Sequence, residues 1–236
     1  MPSFLKDISA FYGDNGRNPR GDNLEEFLEK YNHGDYETPA VTADNLIFRM
    51  KQEGKPVPGN LELLMIRRKN HPCIHWWALP GGFVEIREDA LDAAARELWE
   101  ETCLTGIPLE QLSCAGEADR DPRWRIVTIA FLALVEPGLS GVQASDDAAD
   151  AAWMDVSYET VSENVENGRR YTRYRITLTN EEKAASVNSV VEVSENISGY
   201  IKGRKVRVVD NNGIAFDHAR FILEGIQTLE RRANLG

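Results

Sequence analysis

Three glutamates in one short segment of the chain have the spacing that is needed to hold a metal ion. Glu97, Glu100 and Glu101 stand at positions i, i+3 and i+4, so on an α-helix they share one face. Carboxylates ~5 Å apart repel each other by ~0.8 kcal/mol in bulk water and by ~3 kcal/mol at an effective dielectric of ~20. If the face lines a cleft, a bound cation relieves this repulsion, and Mg²⁺ prefers such oxygen ligands together with water and substrate phosphate. If the face is solvated, it is an ordinary acidic helix end, and the three residues alone favour this second interpretation.

The segment around these glutamates predicts the clearest helix of the chain, over residues 89–102. Its predicted apolar stripe, at positions i, i+3, i+4 and i+7, consists of Leu91, Ala94, Ala95 and Leu98. The centre of the carboxylate face lies about a third of a turn from this stripe. One side of the helix is therefore predicted to pack and another to present the carboxylates.

The other predicted elements are mainly strands. Residues 13–23 are rich in turn-forming residues and predict a flexible stretch, and a short helix follows with Asn23 as its N-cap. The predicted strands of the main sheet are residues 41–50, 61–68, 124–135 and 151–156, and a last helix is predicted over 217–232.

Residues 157–212 have a different pattern and are interpreted as an insertion. Strand-like runs at 173–179, 187–193 and 205–209 alternate with polar turns, which predicts a β-hairpin or a small three-stranded sheet. A two-stranded hairpin is at best marginally stable alone. We therefore expect the insertion to form an oligomer contact or a wall over a substrate cleft.

The composition points away from nucleic acids and membranes. The 236 residues carry a net charge of −11 at pH 7, which disfavours anionic partners. The longest apolar run, residues 126–135, is shorter than the roughly 20 residues that a membrane-spanning helix needs. The three cysteines lack the spacing of a disulfide framework, and residues 1–7 lack the pattern of a signal peptide. We therefore expect a cytoplasmic protein that binds neither nucleic acid nor membrane.

The wider spacing around the glutamates resembles the Nudix box, G-x5-E-x7-R-E-U-x-E-E-x-G-U, in which U is a bulky aliphatic residue. Eight of its nine specified positions match; they are Gly82, Glu88, Arg96, Glu97, Leu98, Glu100, Glu101 and Leu104. The exception is Cys103, where the family usually has a glycine that suits a left-handed residue at a helix end. Cysteine at that backbone angle costs ~1 kcal/mol.

Other segments resemble the ADP-ribose pyrophosphatase branch of this family. They are residues 36–44, 71–72, 77–84, 120–123 and 215–218. The resemblance covers about residues 24–156 and 213–232. It implies an α/β fold, the Nudix α/β/α sandwich with a mixed central sheet. The expected organisation is a flexible segment over 1–23 and a Nudix domain over 24–236, with the β insertion at about 157–212.

The resemblance also implies a metal site. Glu97 and Glu101 would be the principal ligands of Mg²⁺, with Mn²⁺ as the alternative ion, and Glu100 would assist directly or through water. The backbone carbonyl of Gly81 would add an oxygen, and Glu88 would support the cluster from the start of the helix.

Two further residues complete the implied catalytic set. Arg96 would orient the glutamates through charge-assisted hydrogen bonds. The family often supplies another acid from the loop before the last core strand, here residues 144–150, and Asp147 is the predicted acid, as ligand or as general base. The implied reaction is attack of a metal-activated water on a pyrophosphate, which gives AMP and ribose 5-phosphate from ADP-ribose.

Three residues are candidates for contact with the nucleotide substrate. Arg120 and Arg123 could contact phosphate or ribose, although surface arginines are common in an acidic protein. Trp77 is the tryptophan predicted to face outward and stack on adenine, with a core position as the alternative.

The sequence leaves a second functional class open, a non-catalytic ADP-ribose sensor. One group of Nudix relatives carries a C-terminal winged helix and regulates transcription. Only residues 233–236 follow the predicted last helix, so we expect no winged helix after it. The intact glutamates also favour catalysis, so the expected partner is a small nucleotide substrate; the resemblance leaves a homodimer open.

Overall fold

The computed structural model describes residues 5–138 and 148–235, and the chain divides into two compact units, residues 1–39 and 40–236. The first unit contains α1 (Leu24–Lys30) and two short 3-10 turns, Ser9–Phe11 and His33–Asp35. Asn23 and Glu26 form a capping box at the start of α1, each side chain accepting from the other's backbone N–H. This confirms the predicted helix start. The domain limits at residues 23 and 24 stay a prediction.

The second unit is built on one mixed, ten-stranded sheet. Its strands are β1 (Ala40–Met50), β2 (Leu61–Arg68), β3 (Trp77–Ala78), β4 (Gly81–Phe83), β5 (Glu110–Ala115), β6 (Ile126–Val135), β7 (Ala148–Glu166), β8 (Arg169–Asn180), β9 (Ala185–Asn196) and β10 (Lys205–Asn212). The main path runs β10-β9-β8-β7-β2-β1-β6-β5, with β3 on β2 and β4 on β1. The pairing of β1 with β6 is parallel and the others are antiparallel.

Two helices cover opposite faces of this sheet, α2 (Ala90–Thr102) and α3 (His218–Leu235). Neighbouring residues of β1 point to opposite faces, as in any strand. Ile47 packs with Leu98 of α2, and Phe48 packs with Phe221 of α3. The predicted α/β/α sandwich with a mixed central sheet is therefore confirmed. None of the described helices is long and apolar enough to cross a membrane.

The strands predicted within residues 157–212 are present, but they continue the central sheet instead of forming a separate one. The short strand predicted at 151–156 is the first part of the 19-residue β7, which runs on to pair with β8. Leu178 of β8 and Val191 of β9 are fully buried and belong to the same apolar cluster as α3. The added strands β8 and β9 are stabilised because their apolar face packs against α3.

The packing face of α2 also differs from the prediction. Leu91 is 45% exposed, and Ala95 is exposed, so neither belongs to the buried face. Ala94 and Leu98 are buried as predicted, and Ala93 joins them on the buried face. A hydrogen bond from the sheet accompanies this packing: Nδ2 of the buried Asn45 in β1 donates to the carbonyl of Ala94. With Ala94 facing the sheet, Glu101 on the same helix lies against β4.

The end of α2 has the left-handed residue that the sequence predicts. Cys103 has φ 60° and ψ 14°, and its backbone N–H donates to the carbonyl of Trp99. A residue with a Cβ is strained in this conformation, whereas glycine is not. The side chain of Cys103 is exposed, so no packing offsets the strain.

We expect Leu178→Ala to lower the free energy of unfolding by about 3 kcal/mol, because a fully buried leucine of the core leaves a cavity. Urea denaturation measures this change. Val165→Ala is the control on β7, where the side chain is 57% exposed and the change should stay within about 0.5 kcal/mol. Equal effects of the two substitutions would show that β8 is not part of the core.

We expect Cys103→Gly to raise the free energy of unfolding by about 1 kcal/mol, because it removes the Cβ from a left-handed position. The midpoint of urea denaturation should rise with an unchanged slope. Cys103→Ala is the matched control, since it keeps the Cβ and should give no gain. A glycine variant no more stable than the alanine variant would contradict the strain.

Candidate active site

A cleft of about 370 Å³ lies where β4 meets the glutamate face of α2. It is lined by Ile66, Arg68, Lys69, Asn70, Gly81, Gly82, Phe83, Glu85, Arg96, Glu97, Glu101 and Arg123. The structure thus brings Glu97 and Glu101 together with the predicted backbone ligand Gly81 and with Arg123. The cleft is mainly polar, with carboxylates and guanidinium groups around it.

The glycine turn of β4 lies directly against the two glutamates. Gly81 donates its backbone N–H to Oε2 of Glu101 at 2.8 Å. A Cβ built on Gly82 would lie 2.4 Å from the carboxylate of Glu97, so a larger residue would displace it. β4 is held in place by β1, where Asp44 pairs with Gly81. The glycine backbone is therefore in direct contact with both carboxylates.

Arg96 joins three of the predicted acidic residues. Its Nη1 donates to Glu97 at 2.7 Å and to Glu100 at 3.0 Å. Its Nη2 donates to Oε1 of Glu88 at 2.6 Å and to the carbonyl of Phe83 at 3.0 Å. These carboxylates raise the pKa of Arg96, led by the bonds to Glu88. Arg96 therefore compensates the charges that would otherwise repel one another.

Burial separates Glu101 and Glu97 from an ordinary acidic helix end. Glu101 is 7% exposed, and burial raises its pKa to about 8 against the lowering effect of the Gly81 N–H. Burial also raises the pKa of Glu97, against the lowering effect of its bond to Arg96. The solvated interpretation is wrong for both residues. A buried carboxylate with a single hydrogen-bond donor is stabilised by a proton or a cation.

The donor set fits Mg²⁺ or Mn²⁺ bound partly by the protein. Within residues 5–138 and 148–235, no three side-chain ligands converge into a ready-made metal cage. Mg²⁺ usually takes one or two carboxylates and completes its shell with water and substrate phosphate. Glu97 and Glu101 supply two such carboxylates beside the glycine backbone, whereas Glu88 and Glu100 are bonded to Arg96 and do not line the cleft. The remaining predicted acid, Asp147, lies outside the described residues.

The three predicted substrate contacts have different surroundings. Arg123 lines the cleft and bonds to Asp121 through Nε and Nη2. The side chain of Arg120 is 7% exposed and is committed to Asp217, at 2.6 Å, and to Thr128. Its guanidinium lines a smaller polar cavity next to the cleft.

The expectation that Trp77 faces outward is wrong. Trp77 is 6% exposed and belongs to the apolar cluster of α3. Its backbone is held on both sides, by β2 at Arg67 and by a bridge to Ile214. These pairings direct the indole into the core and away from the cleft.

Asp44 and His218 form a buried polar group behind the glycine turn that sequence reasoning missed. Burial raises the pKa of Asp44 to about 7 and lowers the pKa of His218 to about 4. His218 is neutral, since its Nδ1 accepts from the backbone N–H of Leu79 at 2.9 Å. Its Nε2 lies 3.6 Å from the Asp44 carboxylate. The sequence signal for this group is Asp44, an aspartate within the otherwise largely apolar strand β1.

Comparison with known proteins gives consistent results for family and fold. The NUDIX domain model matches residues 38–173. The chain is 37% identical over 130 residues to an ADP-ribose pyrophosphatase of Methanocaldococcus jannaschii, covering 55% of this chain and 69% of that protein. A MutT/nudix family protein from Enterococcus faecalis has a similar structure, with a TM-score of 0.61 and 28% identity, over 90% of this chain and 71% of that one.

A regulator is also among the similar proteins. The chain is 40% identical over 113 residues to the ADPR responsive transcriptional repressor NtrR of Acinetobacter baylyi. The match covers 47% of this chain and 43% of the repressor, so the chain spans less than half of that relative's length.

We expect the metal-free protein to lose stability as the pH rises from about 4.5 to about 8. The pKa of Glu101 is raised by burial from 4.5 to about 8, so the folded state binds more protons than the unfolded state across this window. The stabilising contribution is complete below the lower value and is lost as the pH passes the higher one. Thermal unfolding in EDTA measures this effect.

Two variants isolate the contribution of Glu101. Glu101→Gln should flatten the decline, and Mg²⁺ at pH 8 should stabilise the wild-type protein more than this variant. Asp92→Asn, on the exposed side of the same helix, should keep the wild-type slope. A Glu101→Gln profile that parallels the wild-type profile would show that this carboxyl does not titrate as described.

Proposed function

The chain belongs to the Nudix family, and from this premise we propose that it hydrolyses the pyrophosphate bond of ADP-ribose or a related nucleoside diphosphate derivative with the help of a divalent cation. ADP-ribose would give AMP and ribose 5-phosphate. The observation that carries the proposal is the pair of carboxylates, the half-buried Glu97 and the buried Glu101, against the Gly81–Gly82 backbone in a polar cleft. The similarity to the Methanocaldococcus pyrophosphatase supports the choice of substrate.

Glu97, Glu101 and the carbonyl of Gly81 would hold the cation, with Mg²⁺ proposed and Mn²⁺ as the alternative. A bound cation of this kind neutralises phosphate oxygens and acidifies a water molecule. The protein keeps Glu97 in position through Arg96, and it keeps Glu101 in position through the N–H of Gly81. These bonds orient the carboxylates before substrate arrives.

The proton of the attacking water needs a carboxylate that is accessible from the cleft. We propose Asp147 for this role. Glu100 would assist the metal through water, and Glu88 would support the site through Arg96. Arg123 would contact substrate phosphate, because its guanidinium lines the cleft. Arg120 is assigned a positioning role, since it acts on the Asp217 carboxylate.

The second candidate function is an ADP-ribose sensor that regulates transcription. The observation that favours it is the 40% identity to the Acinetobacter repressor over the matched segment. The net charge of −11 and the buried Glu101 beside Glu97 in the cleft favour hydrolysis instead. The two functions differ in whether ADP-ribose is consumed.

We expect Glu97→Gln and Glu101→Gln each to lower hydrolysis of ADP-ribose by about 100-fold or more, because each removes a charged cation ligand. Chromatography of the products after incubation with Mg²⁺ measures AMP and ribose 5-phosphate, and EDTA should abolish both. Asp92→Asn is the control for a charge change on the same helix and should keep wild-type turnover. Circular dichroism establishes that each variant is folded.

The other outcomes are informative. Wild-type turnover in Glu101→Gln would contradict the assigned site. Tight binding of ADP-ribose without products, together with a gel shift of DNA that ADP-ribose reverses, would favour the sensor. Hydrolysis of other nucleoside diphosphates only would keep the reaction and change the substrate.

A further inference from the structure

The wall of the cleft that carries no carboxylate ligand contains an alternating row of guanidinium groups and aromatic rings. The Cζ of Arg68 lies 5.0 Å from the centre of the Phe216 ring. The Cζ of Arg123 lies 5.2 Å from the same ring and 5.2 Å from the ring of Phe83. All four residues line the smaller polar cavity beside the cleft, and all but Phe216 also line the cleft itself. We call this row the cationic wall.

Arg68 is the member of the cationic wall whose charge is not matched. In residues 5–138 and 148–235 its guanidinium has no carboxylate within ion-pair distance, and its Nε donates to the neutral carbonyl of Pro72 at 2.8 Å. Arg123, in contrast, is paired with Asp121 at 2.8 Å. Burial lowers the pKa of Arg68, and the charge of Arg123 lowers it further. Two positive groups that face one cleft are stabilised when an anion lies between them.

The backbone at Phe216 is held in a conformation that such a residue rarely adopts. Phe216 has φ 48°, in the left-handed region that disfavours bulky side chains. Its carbonyl accepts from Nδ2 of Asn211 at 3.0 Å, and its N–H donates to Sγ of Cys73. The surrounding chain therefore fixes the ring against both guanidiniums. Strain of this kind is typical of functional positions.

We propose that Arg68, with its guanidinium oriented by Phe216 and Pro72, is a substrate-binding residue that holds the diphosphate group of a nucleoside diphosphate independently of the metal. The proposal rests on the proposed function for the identity of the substrate, but not for the binding itself. A diphosphate in this cleft has the cation ligands Glu97 and Glu101 on one side and the cationic wall on the other. Planar guanidinium groups match phosphate oxygens in two-point hydrogen bonds.

The chain offers a matched control one residue away. Arg67 lies on the same strand and is exposed, whereas Arg68 is half-buried. The side chain of Arg67 lines a different cavity, and its Nε donates to the carbonyl of His75. Arg67→Gln and Arg68→Gln therefore make the same change of charge and size in β2. They differ in whether the guanidinium faces the proposed substrate.

Calorimetric titration with ADP in EDTA tests the proposal without catalysis. Arg68→Gln should weaken ADP binding by about 10-fold to 100-fold, because a charge-assisted bond to phosphate is lost. Arg67→Gln should stay within twofold of the wild-type protein. Phe216→Leu, which keeps an apolar side chain but removes the ring, should weaken ADP binding by a smaller factor. Arg68→Lys, which keeps the charge, should also weaken ADP binding by a smaller factor than Arg68→Gln. It replaces Arg68→Gln in the test if the glutamine variant does not fold.

The outcomes separate this inference from the proposed function. Loss of ADP affinity confined to the cationic wall supports the inference even if the wild-type protein hydrolyses no ADP-ribose. Equal affinity in Arg68→Gln and Arg67→Gln overturns it even if ADP-ribose is hydrolysed. Absence of ADP binding to the wild-type protein in EDTA also overturns it, because the cationic wall would then not hold a diphosphate unaided.

Discussion

The burial of the Glu101 carboxylate constrains the elements around the cleft, because a buried charge needs a compensating partner. Glu101 lies at the end of α2, almost without contact to solvent, and accepts a hydrogen bond from the Gly81 N–H. A negative charge in such a place is unfavourable unless a proton or a cation accompanies it. The glycine turn, the angle of α2 and the open cleft are all compatible with a cation at this point. A structural role alone would be served better by an apolar residue of similar volume.

The remaining charges of the site are arranged so that this constraint can be met. Arg96 forms ion pairs with Glu88, Glu97 and Glu100, and its single positive charge offsets part of their negative charge. Gly82 leaves space for Glu97, because any Cβ there would collide with its carboxylate. Behind the turn, Asp44 faces a neutral His218 rather than a charged partner. The outer carboxylates thus share one arginine, whereas the innermost carboxylate, Glu101, accepts from the Gly81 N–H.

The sequence predicted most of the local structure because its signals are local. The i, i+3, i+4 spacing of the glutamates placed them on one helical face, and the left-handed Cys103 follows from its position at the helix end. The orientation of α2 was not predictable, since it depends on a hydrogen bond from the sheet to the carbonyl of Ala94. Trp77 was misjudged for a similar reason, because a bridge to the distant Ile214 decides which way it faces. Apolar strands of β8 and β9 were recognised, but only the packing of α3 shows that they continue the main sheet.

The similarity to both a pyrophosphatase and a repressor has a physical explanation in the two sides of the cleft. Recognition of a nucleoside diphosphate requires groups that hold phosphate, and the guanidinium groups of Arg68 and Arg123 are suited to that task. Metal-assisted hydrolysis additionally requires a held cation, and Glu97 and Glu101 are the residues proposed to hold it. A domain of this design can bind its ligand with one set of residues and consume it with another. Loss of the second set would leave a sensor with the affinity of the enzyme. Both groups of residues line the cleft of this chain, and the burial of Glu101 is a feature that binding of the nucleotide alone does not require.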